Sequence, residues 1–229
     1  MVWEDLLFAH WPVPPDLLQR HLPRGLELDL YAGQAWLGVV PFRMRGVRPR
    51  CLPPLPGLSA FPELNVRTYV RGPDRRAGIW FFSLDADQRL AVAAARLVFG
   101  LRYLRARMDC REQGEWIEYA SERRHAGAPP ARLRGRYRPR GPLLTAKDEQ
   151  VVWLTERYAM YSARPLGAAS PAAIYRGDIH HLPWPLQPAE AEFATLDVTA
   201  DLGVPLLGQP LLHFARRLAV VAWLPRRVA

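Results

Sequence analysis

The feature that most constrains this chain is its punctuation. Short runs rich in aliphatic and aromatic residues are cut at close intervals by glycine and proline, and runs with helical spacing are few. Such runs read as strands: Leu26 to Leu30, Ala35 to Met44, Glu63 to Arg71, Gly78 to Asp85, Tyr103 to Arg111, Glu115 to Glu122 and Arg132 to Arg138. Tyr158 to Ala163, Ala172 to Leu182, Gln187 to Val198 and His213 to Trp223 complete the set. Helices are predicted only over Pro14 to Leu22, Gln88 to Phe99 with Asp87 as N-cap, and Asp148 to Leu154. Gly33, Gly72-Pro73-Asp74 and Gln113-Gly114 mark hairpin turns, the first joining Leu26 to Leu30 with Ala35 to Met44. So many strands must avoid bare edges, and closing the sheet on itself is the usual solution. The expected fold is therefore mainly β (α+β), a closed antiparallel β-barrel with a few short helices, in a single domain over residues 1–229. A barrel of this size can enclose a ligand cavity.

Between the early strands, Pro49 to Pro62 holds five prolines and Gly57, which forbids a regular ladder and predicts an ordered crossing loop. The formal charge of +9 would suit an anionic partner. All but one of the 31 basic residues are arginines, however, scattered without a helix-turn-helix, RNP or zinc-finger pattern. Coding bias explains that ratio better than phosphate binding, and arginine with many prolines also suits a thermophile. The pattern argues against nucleic acid as a partner, with the clusters Arg43 to Arg50 and Arg132 to Arg140 the best case for it. Cys51 and Cys110 make no Cys-x-x-Cys motif, which fits a reducing cytoplasm. Acidic residues follow Met1 where a signal peptide needs basic ones, and no apolar run is long enough to span a membrane.

The strand Glu63 to Val70 carries the most information about a site. With a period of two, Glu63, Asn65, Arg67 and Tyr69 share one face while Leu64, Val66 and Val70 share the other. Either the polar set meets water, or it lines a pocket while the apolar set packs outside under helices. The neighbouring run Ile79 to Asp85 is apolar on both faces and favours the pocket. Further polar clusters are Leu154 to Tyr158, with Glu156 and Arg157, and Ile179 to Gln187, with His180 and His181. Adjacent strand histidines face opposite ways, and no carboxylate at metal spacing joins them, so a metal site is not expected. His10 and His213 read as core or capping residues. Gly-x-Ser-x-Gly, Gly-x-Gly-x-x-Gly and Walker-type loops are absent, and no cofactor is expected.

The stretches Phe8 to Pro12, Trp36 to Arg48, Phe61 to Val70, Trp80 to Asp85, Leu154 to Tyr161 and Ile179 to Gln187 together resemble the YqjF-like family, to which no activity is attached. That family is similar in fold to acetoacetate decarboxylase, whose barrel encloses a deep pocket and whose catalytic lysine forms a Schiff base. The resemblance implies a barrel of that type, with Glu63 matching a pocket glutamate. The decarboxylases' Gly-Phe-Pro-Lys-Lys run has its counterpart in Gly100-Leu101-Arg102-Tyr103-Leu104, with Tyr103 at the lysine position. Tyrosine cannot form an imine. The sole lysine, Lys147, sits in a polar stretch and is expected in solvent.

The expectation is a pocket for a small anionic organic ligand, contacted by Arg67, Tyr103 and Arg157, with Glu63 handling a proton or orienting the ligand. Asn65, Tyr69, Glu156, His180 and His181 are the remaining candidates. Two other readings stay open: an enzyme on a small acid using Glu63 or a histidine as general base, and a non-catalytic interaction protein with an arginine-rich surface. A homodimer is expected, paired through the Pro-rich loop.

Overall fold

The computed structural model describes residues 1–48, 59–88, 93, 96, 98–164 and 172–229. The strands in the first half are β1 (Val2–Val13), β2 (Glu27–Leu28), β3 (Ala35–Arg45), β4 (Phe61–Arg71), β5 (Ala77–Ala86), β6 (Tyr103–Gln113) and β7 (Trp116–Arg123). They continue as β8 (Arg132–Pro139), β9 (Ala159–Arg164), β10 (Ala173–His180), β11 (Leu186–Leu196), β12 (Leu211–Ala219), β13 (Val221–Ala222) and β14 (Arg226–Arg227). The short helices α1 (Pro15–Gln19) and α2 (Glu149–Thr155) join them. The Asp148 side chain caps α2 by accepting from the Val151 amide at 2.7 Å. The Pro-rich loop and the helix expected over Gln88 to Phe99 fall largely outside the described residues.

Nine strands close into a barrel in the order β5, β6, β7, β8, β11, β12, β1, β3, β4, with β4 returning to β5. All its pairings are antiparallel except β5 with β6, which run parallel. Its interior carries a hydrophobic core built from alternate residues of its strands, among them Leu7, Val39, Leu64, Val66, Phe82, Met108, Leu133 and Phe214. Two tyrosines brace it from side to side. Tyr119 donates to the Glu63 carbonyl and Tyr137 to the Asp5 carbonyl, each at 2.7 Å.

The wall β12, β1, β3, β4, β5 has a second side. There β5 also pairs in parallel with β9, β9 pairs with β10, and β10 pairs with β13. Only Val220 separates β13 from β12. These strands cover that side, and the space between, called here the second chamber, holds a second hydrophobic core that includes Phe8, Phe42, Tyr69, Ile79, Phe81, Leu154, Ile179, Trp184 and Leu218. Leu64 and Val66 therefore fill the nine-stranded barrel instead of packing outside it under helices. The polar face of β4 looks into the second chamber.

Two other expectations are corrected. Residues 2–13 form the longest strand, where none was predicted, and it lies in the middle of the shared wall. The expected hairpin across Gly33 does not form: β2 pairs with β4, placing Glu27 opposite Arg71, while β3 lies between β1 and β4.

Candidate functional site

Three neighbouring strands build the centre of the site. His10 of β1, Gly38 of β3 and Arg67 of β4 lie opposite one another in register. Gly38 has no side chain to separate its neighbours. A Cβ there would lie 3.1 Å from the His10 ring and 3.4 Å from Arg67 Cγ. The histidine and the guanidinium stem thus share the space above a glycine.

Arg67 is 6% exposed, yet it forms no ion pair with any described residue. Its Nε and Nη2 have no hydrogen-bond partner. The guanidinium lies 5.2 Å from the Phe8 ring centroid and 5.9 Å from that of Tyr69. Cation–π contacts contribute about 2 kcal/mol when desolvated, which does not offset the several kcal/mol that burying a cation costs. Glu63 shares the face but stands four residues along the strand, roughly 13 Å away at the β rise.

The Tyr69 hydroxyl donates to the Leu154 carbonyl at 2.9 Å and lies 2.7 Å from His10 Nε2. With its one proton committed, the hydroxyl accepts from His10, which places that proton on Nε2 and leaves Nδ1 a bare acceptor. Nδ1 has no partner. Burial holds the His10 pKa well below the ordinary histidine value, and the charge of Arg67 adds to the effect, so the ring is neutral. His213 of β12 stands opposite Phe8 of β1, and its pKa is also lowered by burial.

Glu63 is 1% exposed. Tyr103 donates to its Oε2 at 3.1 Å, and Asn65 also bonds to the carboxyl. Both bonds favour the charged form, but burial outweighs them and raises the Glu63 pKa to about 8. Burial, with the glutamate beside it, pushes the Tyr103 pKa well above its ordinary value. At neutral pH the pair is a carboxylic acid and a phenol.

The other candidates fall into place around this centre. Arg157 is committed: it donates to Asp29 Oδ2 and to the Trp153 carbonyl, both at 2.6 Å, and its guanidinium faces the Tyr69 and Trp153 rings. Glu156 accepts from Lys147 and Tyr158 at 2.8 Å and from the Trp184 amide at 3.0 Å. The sole lysine is therefore ion-paired and largely covered instead of solvated, and its charge is felt at His213. His181 is buried, stacked on Tyr158 with ring centroids 4.6 Å apart. His180 is exposed, on the opposite face from Ile179, which packs in the chamber core. Among the described residues no three His, Cys, Asp or Glu side chains gather as a metal site.

The structure thus sets Glu63, Asn65 and Tyr103 as one group and Arg67 and Tyr69 as another along the same face of β4, puts Glu156, Arg157 and His181 in other hydrogen-bond and stacking networks, and leaves His180 outside. It adds His10 and, beside it, His213. The signal for His10 was its position in an aromatic run, Phe8-Ala9-His10-Trp11, where a period of two puts it with Phe8.

Known proteins bear on both fold and kinship. Over the whole chain the fold is similar to that of acetoacetate decarboxylase from Legionella pneumophila, with a TM-score of 0.69 at 15% identity, covering 87% of that chain. It is similar as well to the enduracididine biosynthesis enzyme MppR in its complex with pyruvate, with a TM-score of 0.68 at 10% identity over 100% of this chain and 89% of that one. At such identities the likeness establishes the fold alone. In sequence, the chain is 45% identical over 223 residues to the uncharacterized protein YqjF of Bacillus subtilis (strain 168), covering 96% of this chain and 88% of that protein. The family model DUF2071, described as an uncharacterized conserved protein, matches residues 1–219, and the chain belongs to that family.

Proposed function

We propose that the second chamber binds a small organic anion whose acidic group rests on Arg67. The observation that carries this reading is a buried guanidinium without a counter-charge. In the absence of a ligand such a group opposes folding. Beside it, His10 Nδ1 is a bare acceptor for a ligand hydroxyl, and farther along β4 the Glu63–Tyr103 pair offers neutral polar groups to the rest of the molecule. Pyruvate, the ligand named with one fold neighbour, is an anion of this class.

The test is thermal unfolding of the wild type and Arg67→Met with pyruvate and acetoacetate as probes. At one hundred times Kd a ligand adds about 2.7 kcal/mol, or roughly 5–10 °C for a chain of this size. That rise should vanish in Arg67→Met, which should melt no lower than the wild type without ligand. Equal rises in both proteins would remove Arg67 from the site.

A second reading is catalytic. Glu63, with its pKa near 8 beside Tyr103, is suited to passing a proton to or from a bound acid. Imine chemistry is not part of it, because Lys147 is engaged by Glu156. Borohydride treatment with acetoacetate should leave the intact mass at Lys147 unchanged. A substrate-sized gain there would restore a Schiff-base mechanism.

A further inference from the structure

β5 is the strand at which the two chambers part. Ile79 and Trp80 pair with Met160 and Tyr161 of β9, whereas Leu84, Asp85 and Ala86 pair with Tyr103, Leu104 and Arg105 of β6. Between those points the ladder on this edge is open. Arg102 spans the opening: its Nη1 donates to the Phe82 carbonyl at 3.2 Å, and its own carbonyl accepts from the Leu84 amide at 3.0 Å.

The fork opens outward as a cleft of about 590 Å³, within the range of small-molecule sites. Trp80, Phe81 and Leu101 give it an apolar floor, and Arg96, Arg102 and Arg164 stand around it without any acidic residue in the lining. Carbonyls orient all three guanidiniums, and Arg102 is in addition weakly ion-paired with Asp201. Arg96 donates to the Tyr103 carbonyl at 3.3 Å, and Arg164 to the Val98 carbonyl at 2.6 Å while lying over the Tyr175 ring. The carboxylate nearest Arg102, that of Asp201, is 3.9 Å away and equally close to Arg123. Three cations around an apolar floor concentrate positive potential there.

We propose that this cleft is a second binding site, for an organic anion with an apolar body. The carboxylate or phosphate head lies among Arg96, Arg102 and Arg164, and the body lies on Trp80, Phe81 and Leu101. Arginine suits such a head because its fork meets two oxygens at once. The site is distinct from the Arg67 chamber. Phe81, which stands opposite Arg67 across the β4–β5 pair, separates the two.

Calorimetric titration with phenylphosphonate tests this, with inorganic phosphate as a head without a body. Ala163 lines the cleft, so Ala163→Glu sets a negative charge in it while removing no polar contact. Wild-type protein should bind phenylphosphonate in the cleft at least tenfold more tightly than phosphate. Affinity should fall about tenfold or more in Arg102→Gln and in Ala163→Glu and stay unchanged in Arg67→Met, each variant first shown to be folded by circular dichroism. Because Arg102 also ties β6 to β5, Ala163→Glu decides the matter if Arg102→Gln does not fold. The proposal is overturned by an absence of saturable binding, by affinities indifferent to Ala163→Glu, or by binding lost only in Arg67→Met, which would assign the anion to the chamber.

Discussion

Glu63 makes the clearest residue-scale prediction. Its folded pKa of about 8 lies above the ordinary value of 4.5, so between these limits the native state keeps a proton that the unfolded chain releases. Stability due to this group is complete below pH 4.5 and is lost as pH rises toward 8. At 1.36 kcal/mol per pH unit the fall approaches roughly 3–5 kcal/mol across the window, an upper figure for a fully buried acid. Glu63→Gln removes the titration, so urea unfolding at pH 5 and pH 8.5 should show the variant gaining on the wild type as pH rises. A constant difference would mean that Glu63 is already ionised at neutral pH. This carboxyl could be found in the sequence because a period of two puts it on the face of Asn65, Arg67 and Tyr69. His10 could not be assigned in the same way. Its neighbours Gly38 and Tyr69, and the Leu154 carbonyl to which Tyr69 donates, come from strands and a helix far along the chain, and only closure of the sheet brings them together.

Among the elements, β1 shows why alternation misleads at the centre of this fold. A strand between two packed cores is apolar on both faces and loses its periodic signature. Leu6 and Phe8 face one core, Leu7, Ala9 and Trp11 the other, and an irregularity after Glu4 breaks what pattern remains. The turn at Gly72-Pro73-Asp74 was legible, and β4 and β5 do pair across it. What the turn residues did not disclose is the approach of β9. A Cβ on Gly72 would lie 2.3–2.5 Å from the Tyr161 ring and its hydroxyl, and one on Gly78 would lie 2.7 Å from the Ala159 carbonyl. Tyr161 cannot swing aside, because its hydroxyl donates to Asp74 Oδ1 at 2.7 Å and lies 2.8 Å from the Arg76 carbonyl. Gly72→Ala should therefore cost about 1–3 kcal/mol by overpacking, read as a lower urea midpoint at unchanged slope. A midpoint equal to the wild type would show that the β5–β9 seam is loose.

At the scale of the whole molecule, one wall of five strands serves two enclosures, and they depend on different parts of the chain. The nine-stranded barrel is complete once β12 pairs with β1 and β11, at Ala219. The second chamber additionally needs β10 held by β13 and β14, from Val221 onward. A chain ending at Val220 keeps the reciprocal bonds between Met1 and Val220, at 2.9 and 3.2 Å, and every pairing of the barrel. It leaves β10 with a bare edge and unroofs the hydrophobic cluster around Ile179. The expected product keeps the strand signal in far-ultraviolet circular dichroism, melts lower, and loses the anion-dependent rise assigned to Arg67. Its tryptophan emission should move to the red as Trp184 and Trp3, which stack with ring centroids 5.8 Å apart at the chamber, meet water. Removing Trp223, itself exposed, pushes emission the other way, so a red shift reports the chamber. If the shortened chain fails to fold, the two enclosures form one cooperative unit, and the second chamber cannot be separated from the barrel that supports it.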